Sequence, residues 1–329
     1  MKRHFYPALL ALALVPALGG LAIPAGPAEA AAPQQRTQAP GFYRMMLGRI
    51  EITALLDGTH PFPVHEVMQG IGTAGADALL ERSDLHAPVE GSINAFLVNT
   101  GDRLVLIDSG AGVLYGKDGG HLMGNLRASG YAPEQVDEIL LTHLHRDHVG
   151  GVDAGGAMAF PNAVIRVDRR DSDFWLDPKN RAKVPDYLGP MFDGAIASLR
   201  AYVAAGRLKP FDGEAQLLPE IGAIPGPGHT PGHTIYRIRS EGETLLAWGD
   251  IVHVAAIQFP KPDATVKYDS DAASAERQRE RLFAEAAKNG EWIAAAHISF
   301  PGIGHIRRDD GGYSWLPANY TTVLAPATR

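Results

Sequence analysis

The sequence predicts an α/β fold whose sheets are covered by helices. Three observations predict it. Short β-rich runs alternate with helical patterns in both halves, turn residues bound the candidate strands, and His143, Asp250 and His297 each follow closely on an apolar strand-like run. Ligands of α/β proteins collect outside the carboxyl ends of strands, so the third observation also brings three distant segments to one place.

Taken in order, a Pro/Gln-rich lead over 31–40 precedes a β-rich run at 50–56, which ends at the turn dipeptide Asp57-Gly58 and is expected to begin the fold. Runs at 93–98 and 103–107 flank Asn99-Thr100-Gly101-Asp102, which has the composition of a hairpin turn, and Asp108-Ser109-Gly110 closes the second run. Leu122, Met123 and Leu126 point to a short helix up to Gly130, and 136–141 is the apolar run that leads into His143. Residues 163–167 read as a strand and 191–204 as an amphipathic helix. In the second half, 234–238 and 244–248 are β-like runs separated by Glu241-Gly242. Ser270 or Asp271 caps an Ala/Glu/Arg-rich helix that runs to Lys288 and stops at Asn289-Gly290. Residues 292–296 form a final buried strand leading into His297.

With 329 residues, 45% of them hydrophobic and 20% charged, the chain has the composition of a globular protein with a large core. No linker-like stretch interrupts it, so one catalytic domain over 31–329 is expected. The formal charge of -7 is spread without any basic run, which gives nucleic acid no electrostatic reason to bind. The first thirty residues differ from the rest. Lys2 and Arg3 precede an uncharged apolar run over 8–23, and Ala28-Glu29-Ala30 supplies a small-x-small cleavage pattern. A signal peptide over 1–30, cleaved after Ala30, is therefore expected, leaving a periplasmic or secreted protein with no membrane anchor. Pro16, Gly19, Gly20, Pro24 and Pro27 break the run, whereas a spanning helix needs about 20 continuous apolar residues. The absence of cysteine excludes a lipid-anchored signal, disulfides and a thiolate metal site. Any metal here is held by nitrogen and oxygen.

The strongest chemical signal is Thr142-His143-Leu144-His145-Arg146-Asp147-His148-Val149-Gly150-Gly151. Three imidazoles and a carboxylate this close cannot share a helix face, because residues two apart lie on opposite sides. On a loop, His143 and His145 can grip one ion while Asp147 and His148 reach a second, and Gly150-Gly151 lets the chain turn sharply afterwards. In the second signal, Pro227-Gly228-His229-Thr230-Pro231-Gly232-His233, His229 is the expected ligand and His233 the residue that hydrogen-bonds behind it. Asp250 offers two oxygens that can bridge two ions. His297 completes the set.

The H-x-H-x-D-H motif, the G-H-T-P-G-H loop, a later Asp and a C-terminal His, in that order, resemble the metallo-β-lactamase superfamily, whose fold is a four-layer αβ/βα sandwich with the metals between its halves. Over 31–326 the chain looks similar to methyl parathion hydrolases and their lactonase relatives, on segments that include Phe160-Pro161-Asn162-Ala163-Val164 and Ser299-Phe300-Pro301-Gly302-Ile303. The resemblance implies two divalent ions per subunit, zinc by default. One would take His143, His145 and His229, the other Asp147, His148 and His297, with Asp250 between them. It also implies that Asp108 buttresses the site and that the protein is a homodimer.

Two ions sharing a carboxylate leave room for a bridging hydroxide as nucleophile, with Asp147 or Asp250 as the catalytic carboxylate that accepts a proton. By the resemblance, Tyr115 and Trp175 stand where that family lines its pocket with aromatics. Met191 replaces an expected phenylalanine, and His253, Val67, Val266 and Tyr268 also depart from the pattern. His253 has two readings, a polar pocket residue or a histidine bonded to a neighbouring carboxylate. His60, His65, His86, His121 and His305 read as surface or structural. A polar pocket suits a small-molecule lactone or aryl ester, with weak phosphotriesterase activity on the side. The alternatives are a dedicated organophosphate hydrolase, a β-lactamase, an iron-dependent oxidoreductase on the same fold and a non-catalytic binding protein.

Overall fold

The computed structural model describes Ala32 and residues 34–324, so the expected signal peptide lies outside the described residues. Described residues up to Gln38 form no helix or strand. From Ala39 the chain runs through β1 (Phe42–Leu47), β2 (Ile50–Phe62), β3 (Met68–Gln69), β4 (Val89–Asn99), β5 (Leu104–Ile107), β6 (Glu138–Leu140) and β7 (Val164–Arg166). The second half contains β8 (Ala215–Leu218), β9 (Ile221–Pro225), β10 (Thr234–Ser240), β11 (Glu243–Ala247), β12 (Thr265–Val266), β13 (Trp292–Ala294), β14 (Ile303–Asp309) and β15 (Gly312–Pro317). One sheet has the order β1-β2-β4-β5-β6-β7, the other β15-β14-β13-β11-β10-β9-β8, and β3 pairs with β12.

Alternation along the strands explains the layering. Side chains of a strand point to opposite faces in turn, so a strand covered on both sides reads as a continuous apolar run. In β5, Val105 and Ile107 join the core between the sheets, where they meet Tyr236, Leu245 and Ala247. Leu104 and Leu106 face the other way, into a core that contains Leu126, Trp175, Phe192 and Leu199 from the covering helices. In the second sheet Leu246 and Ile293 face Leu282, Phe283 and Ala286 of the helix Ala272–Asn289. The result is the expected αβ/βα arrangement of four layers. That last helix is capped as read, with the Asp271 side chain accepting from Ser274 N and Gly290 in the left-handed region at φ 67°.

Two expectations are corrected. The strand beginning at Ile50 does not end at Asp57-Gly58: β2 continues to Phe62 through a bulge between Leu56 and Gly58. Asp57 turns its carboxylate inward to accept from the backbone N–H groups of Ala111, Gly112, Gly120 and Leu122 at 2.9–3.2 Å. Gly58 is needed because a Cβ there would fall 2.0 Å from the Asp118 carbonyl oxygen. Nor is the strand after Gly290 the last, since β14 and β15 extend that sheet, and β1 precedes the strand expected to start the fold. Asp57→Ala orphans four backbone donors at about 1–3 kcal/mol for each that stays dry. The expected result is a lower Tm and faster amide exchange over 109–122, and an unchanged Tm would show that water replaces the carboxylate.

Parallel pairing positions the site. β5 pairs in parallel with β6, and β11 with β13, within otherwise mostly antiparallel neighbourhoods. Each pair ends side by side, so Asp108 emerges next to the Thr142-His143 segment and Asp250 next to His297.

Candidate metal centre

His143 follows the end of β6 outside any helix or strand, and His145, at φ -72° and ψ 156°, still stands outside the short helix Arg146–Val149 that carries Asp147 and His148. The motif therefore keeps its first two ligands on a loop, as expected, and carries its last two on a helix. Gly150 has ordinary helical angles, φ -63° and ψ -33°. Its glycine identity serves close approach rather than a sharp turn: a Cβ on Gly150 would lie 2.1 Å from Ala111 O, and one on Gly151 would lie 1.9 Å from Ser109 O. This approach lets Ser109 N and Oγ both donate to His148 O at 2.8 Å.

Seven side chains converge. His143, His145, His229 and Asp250 bring donor atoms within 4.8 Å of one another, and so do Asp147, His148 and His297. Asp250 faces both groups. Its Oδ2 lies 3.1 Å from His229 Nε2 and 3.6 Å from His143 Nε2, while its Oδ1 lies 3.0 Å from His148 Nε2 and 3.1 Å from His297 Nε2. One oxygen toward each cluster is the geometry of a bridging carboxylate. The far sides of the rings are anchored: His148 Nδ1 to Asp108 (2.8 Å), His229 Nδ1 to Asp269 (2.7 Å), His297 Nδ1 to Ser92 O (2.8 Å) and His143 Nδ1 to Thr142 Oγ1 (3.0 Å). Such outer contacts select the tautomer and aim the other nitrogen inward.

Donor atoms without partners test the fit to metal. His143 Nε2, His148 Nε2 and Asp250 Oδ1 are buried and make no hydrogen bond, and His145 turns its Nδ1 to the same group, 3.0 Å from His229 Nε2. Orphaned buried polar atoms are costly, and cations are what this donor set can satisfy. The residues form a site for two divalent metals.

The electrostatics agree. Burial and the surrounding imidazoles push His143 and His145 well below their usual values, so both are neutral donors. Burial alone would raise Asp250, but His148, His297, His143 and His253 outweigh it and hold the carboxylate well below its usual range. Burial likewise opposes protonation of His229, yet Asp250 and Asp269 lift it to about 9. Protons thus compete with metal for the same nitrogens. His233, pushed down to about 3 by burial, stays neutral and accepts from Asp250 N at 3.0 Å, so its hydrogen bond goes to the backbone of Asp250.

Over these residues opens a cavity of about 490 Å³. Tyr115, Met191, His253 and Tyr268 line it, together with Asp147 and Asp250. His253 combines both of its readings, lining the cavity while its Nε2 sits 3.1 Å from Asp250 Oδ2. Trp175 does not line this cavity. The helix Arg169–Trp175 buries its indole behind His145, 4.9 Å between ring centroids, and against Phe192. Val67 and Val266 are buried in a small core of their own beside β3 and β12. His60, read as surface or structural, instead lines the cavity because β2 runs on past its bulge. Sequence reasoning also missed Asp269, and Asp171, whose oxygens accept from Leu144 N (3.0 Å) and Gly232 N (2.6 Å) and so join the two histidine loops.

Residues 88–297 match the model of the metallo-beta-lactamase superfamily. Among solved structures, the chain is similar to hydrolase AbOPH of the beta lactamase superfamily, at 41% identity and a TM-score of 0.82 over 87% of this chain and 100% of that one. It is also similar to AidC, a dizinc quorum-quenching lactonase seen with the product N-hexanoyl-L-homoserine, at 27% identity and a TM-score of 0.79 over 86% and 99%. Curated relatives include the uncharacterized protein YobT of Bacillus subtilis (strain 168), 29% identical over 47% of this chain and 60% of the relative, and an N-acyl homoserine lactonase of a Bacillus species, 29% identical over 37% and 41%. The chain thus spans no more than 60% of the length of these two relatives. The family match covers more than half the chain and ends at His297, the last residue of the constellation, and the chain belongs to the metallo-beta-lactamase superfamily.

Proposed function

We propose that the protein is an exported, dinuclear zinc hydrolase that opens lactones or cleaves aryl esters. The observation that carries this reading is the Asp250 carboxylate, with one oxygen toward each ligand cluster, in a cavity that His253 also lines. Two divalent ions held there supply an acidified water and a Lewis acid for the scissile oxygen. Asp250 spaces the two ligand groups, and His148, His229 and His297 are aimed by Asp108, Asp269 and Ser92 O. Of the two carboxylates that line the cavity we assign the proton-accepting role to Asp147, since a tenth of its side chain is exposed against 3% for Asp250, whose two oxygens lie between the ligand clusters. His253 lines the cavity with its Nε2 turned to Asp250 Oδ2, and so makes that wall more polar, which suits a lactone or ester better than bulky apolar arms. The similarity to a dizinc lactonase supports the same substrate class.

A phosphotriesterase reading draws on the aromatic wall of Phe62, Tyr115, Tyr187 and Tyr268, which fits an aryl leaving group. Purified protein of known metal content, assayed on dihydrocoumarin, a homoserine lactone and methyl paraoxon, decides between them. Lactone kcat/KM is expected to exceed the phosphotriester's by orders of magnitude, and His253→Leu to narrow that gap by about tenfold or more, the worth of one polar contact of roughly 1.4 kcal/mol. A phosphotriester preference in the unaltered protein overturns the lactonase reading. Metal analysis checks for zinc against iron. N-terminal sequencing of the exported protein checks cleavage after Ala30, and light scattering checks the homodimer.

A further inference from the structure

Two cations of the cavity wall, Arg146 and Lys267, rest on aromatic rings and form no ion pair with a carboxylate among the described residues. Arg146 lies between two metal-centre residues in sequence, and its side chain runs along Gly194 to the Tyr115 ring. Its stem crosses Gly194 so closely that a Cβ there would meet Arg146 Cγ at 2.7 Å, and its guanidinium carbon sits 5.0 Å from the Tyr115 ring centroid. Its Nε is buried and makes no hydrogen bond. Lys267 Nζ lies 5.5 Å from the Tyr187 ring and 5.6 Å from the Tyr268 ring, and its backbone is held by the Tyr187 hydroxyl, which donates to Lys267 O at 2.9 Å. The acidic groups of the same cavity are engaged elsewhere: Asp118 with Lys117, and Asp147 and Asp250 with the imidazoles.

Aromatic faces fix both cations without neutralising them. An arginine stacked on tyrosine keeps its N–H edge free for a planar acceptor, and a partly desolvated cation without a counterion is complementary to an anionic ligand. Resting on the hydrolase reading above, we propose that the substrate carries a carboxylate remote from its scissile bond, and that Arg146 and Lys267 bind that carboxylate. The two residues are then specificity determinants: they hold the substrate's far end while the scissile bond lies over Asp250.

The test compares 4-acetoxybenzoate with 4-acetoxybenzamide, esters of nearly one shape that differ by a charge, on metal-quantified protein and on Arg146→Gln, Arg146→Lys and Lys267→Gln. The ratio between variants cancels the intrinsic reactivity of each ester. Expected is a KM for the carboxylate ester lower by about tenfold, the effect of one partly screened charge-assisted contact, shrinking as salt rises, with kcat for the two esters alike. Each glutamine variant should lose this preference and Arg146→Lys should recover part of it. Lys267→Gln, which is not adjacent in sequence to a metal-centre residue, guards against a folding or metal-loading artefact at Arg146. An equal KM for both esters, or a preference that survives both glutamine variants, overturns the proposal and leaves the hydrolase reading standing on the neutral ester. No turnover of either ester overturns this proposal and the aryl-ester half of the hydrolase reading, whose lactone half stands or falls on the lactone assay above.

Discussion

Asp250→Ala is expected to purify with one metal equivalent or less where the unaltered protein carries two, and to lose at least about a thousandfold in kcat/KM, since a dinuclear centre contributes several kcal/mol to the transition state at 1.36 kcal/mol per factor of ten. Asp250 is the only one of the seven whose two oxygens each face a different cluster, so its loss removes contacts to His143, His148, His229 and His297 together. The substitution also removes the largest negative charge that keeps His148, His229 and His297 basic, and leaves these nitrogens no longer spaced by a common anion. Folding should survive in large part, because Asp250 N and its neighbours Ile251 and Val252 remain tied to His233 and to the core around Trp248. Elemental analysis, circular dichroism and kinetics on one preparation check this. Two bound equivalents with near-normal turnover would show that the clusters hold their ions independently.

The legible part of the site is the part in which ligand type and strand end coincide. His143, Asp250 and His297 follow apolar runs, and H-x-H-x-D-H has no apolar role at that spacing, so each could be read locally. Asp108 was readable only through family resemblance. Asp269 and Asp171 were not readable at all: each is one of 37 acidic residues, and only the fold brings Asp269 to a histidine forty positions away and Asp171 between two loops. Asp57-Gly58 misled for a physical reason, because a bulge and a turn both favour a small residue beside a short carboxylate, and the partners that make it a bulge lie 54 to 65 residues downstream. That error hid the rest of β2, and with it the position of His60 in the cavity. β14 and β15 were missed because Arg307, Arg308, Asp309 and Asp310 dilute the apolar alternation at the edge of the sheet, where one face meets water. Trp175 had the right residue type for a pocket wall, but the helix that carries it turns the indole into the core.

Asp171→Asn should uncouple stability from activity. Burial raises the Asp171 carboxyl to about 6, against the opposing pull of its hydrogen bonds from Gly232 and Leu144. A group whose folded value lies above its unfolded one contributes stability that is fully present below the unfolded value and is lost as pH rises through the folded one. For Asp171 that window runs from about 4 to 6, and a rise of roughly two units corresponds to about 3 kcal/mol at 1.36 kcal/mol per unit. Asparagine does not ionise, so in metal-free protein the difference in unfolding free energy between variant and parent should move in the variant's favour by up to that amount between pH 4 and pH 7. Function should move the other way. The carboxylate accepts one backbone N–H on each oxygen, from the segment holding His143 and His145 and from the loop holding His229 and His233, whereas an amide has one acceptor and turns a donor against the second N–H. Metal affinity at pH 7 should therefore fall by about ten- to a hundredfold, the usual effect of removing a partner that orients ligands. A stability difference that stays constant with pH would show that Asp171 is ionised across the whole range, and an undiminished metal affinity would show that the two loops hold their positions without it. The expected pairing, a steadier fold with a weaker centre, identifies Asp171 as a buried charge retained for the geometry it imposes on the ligands.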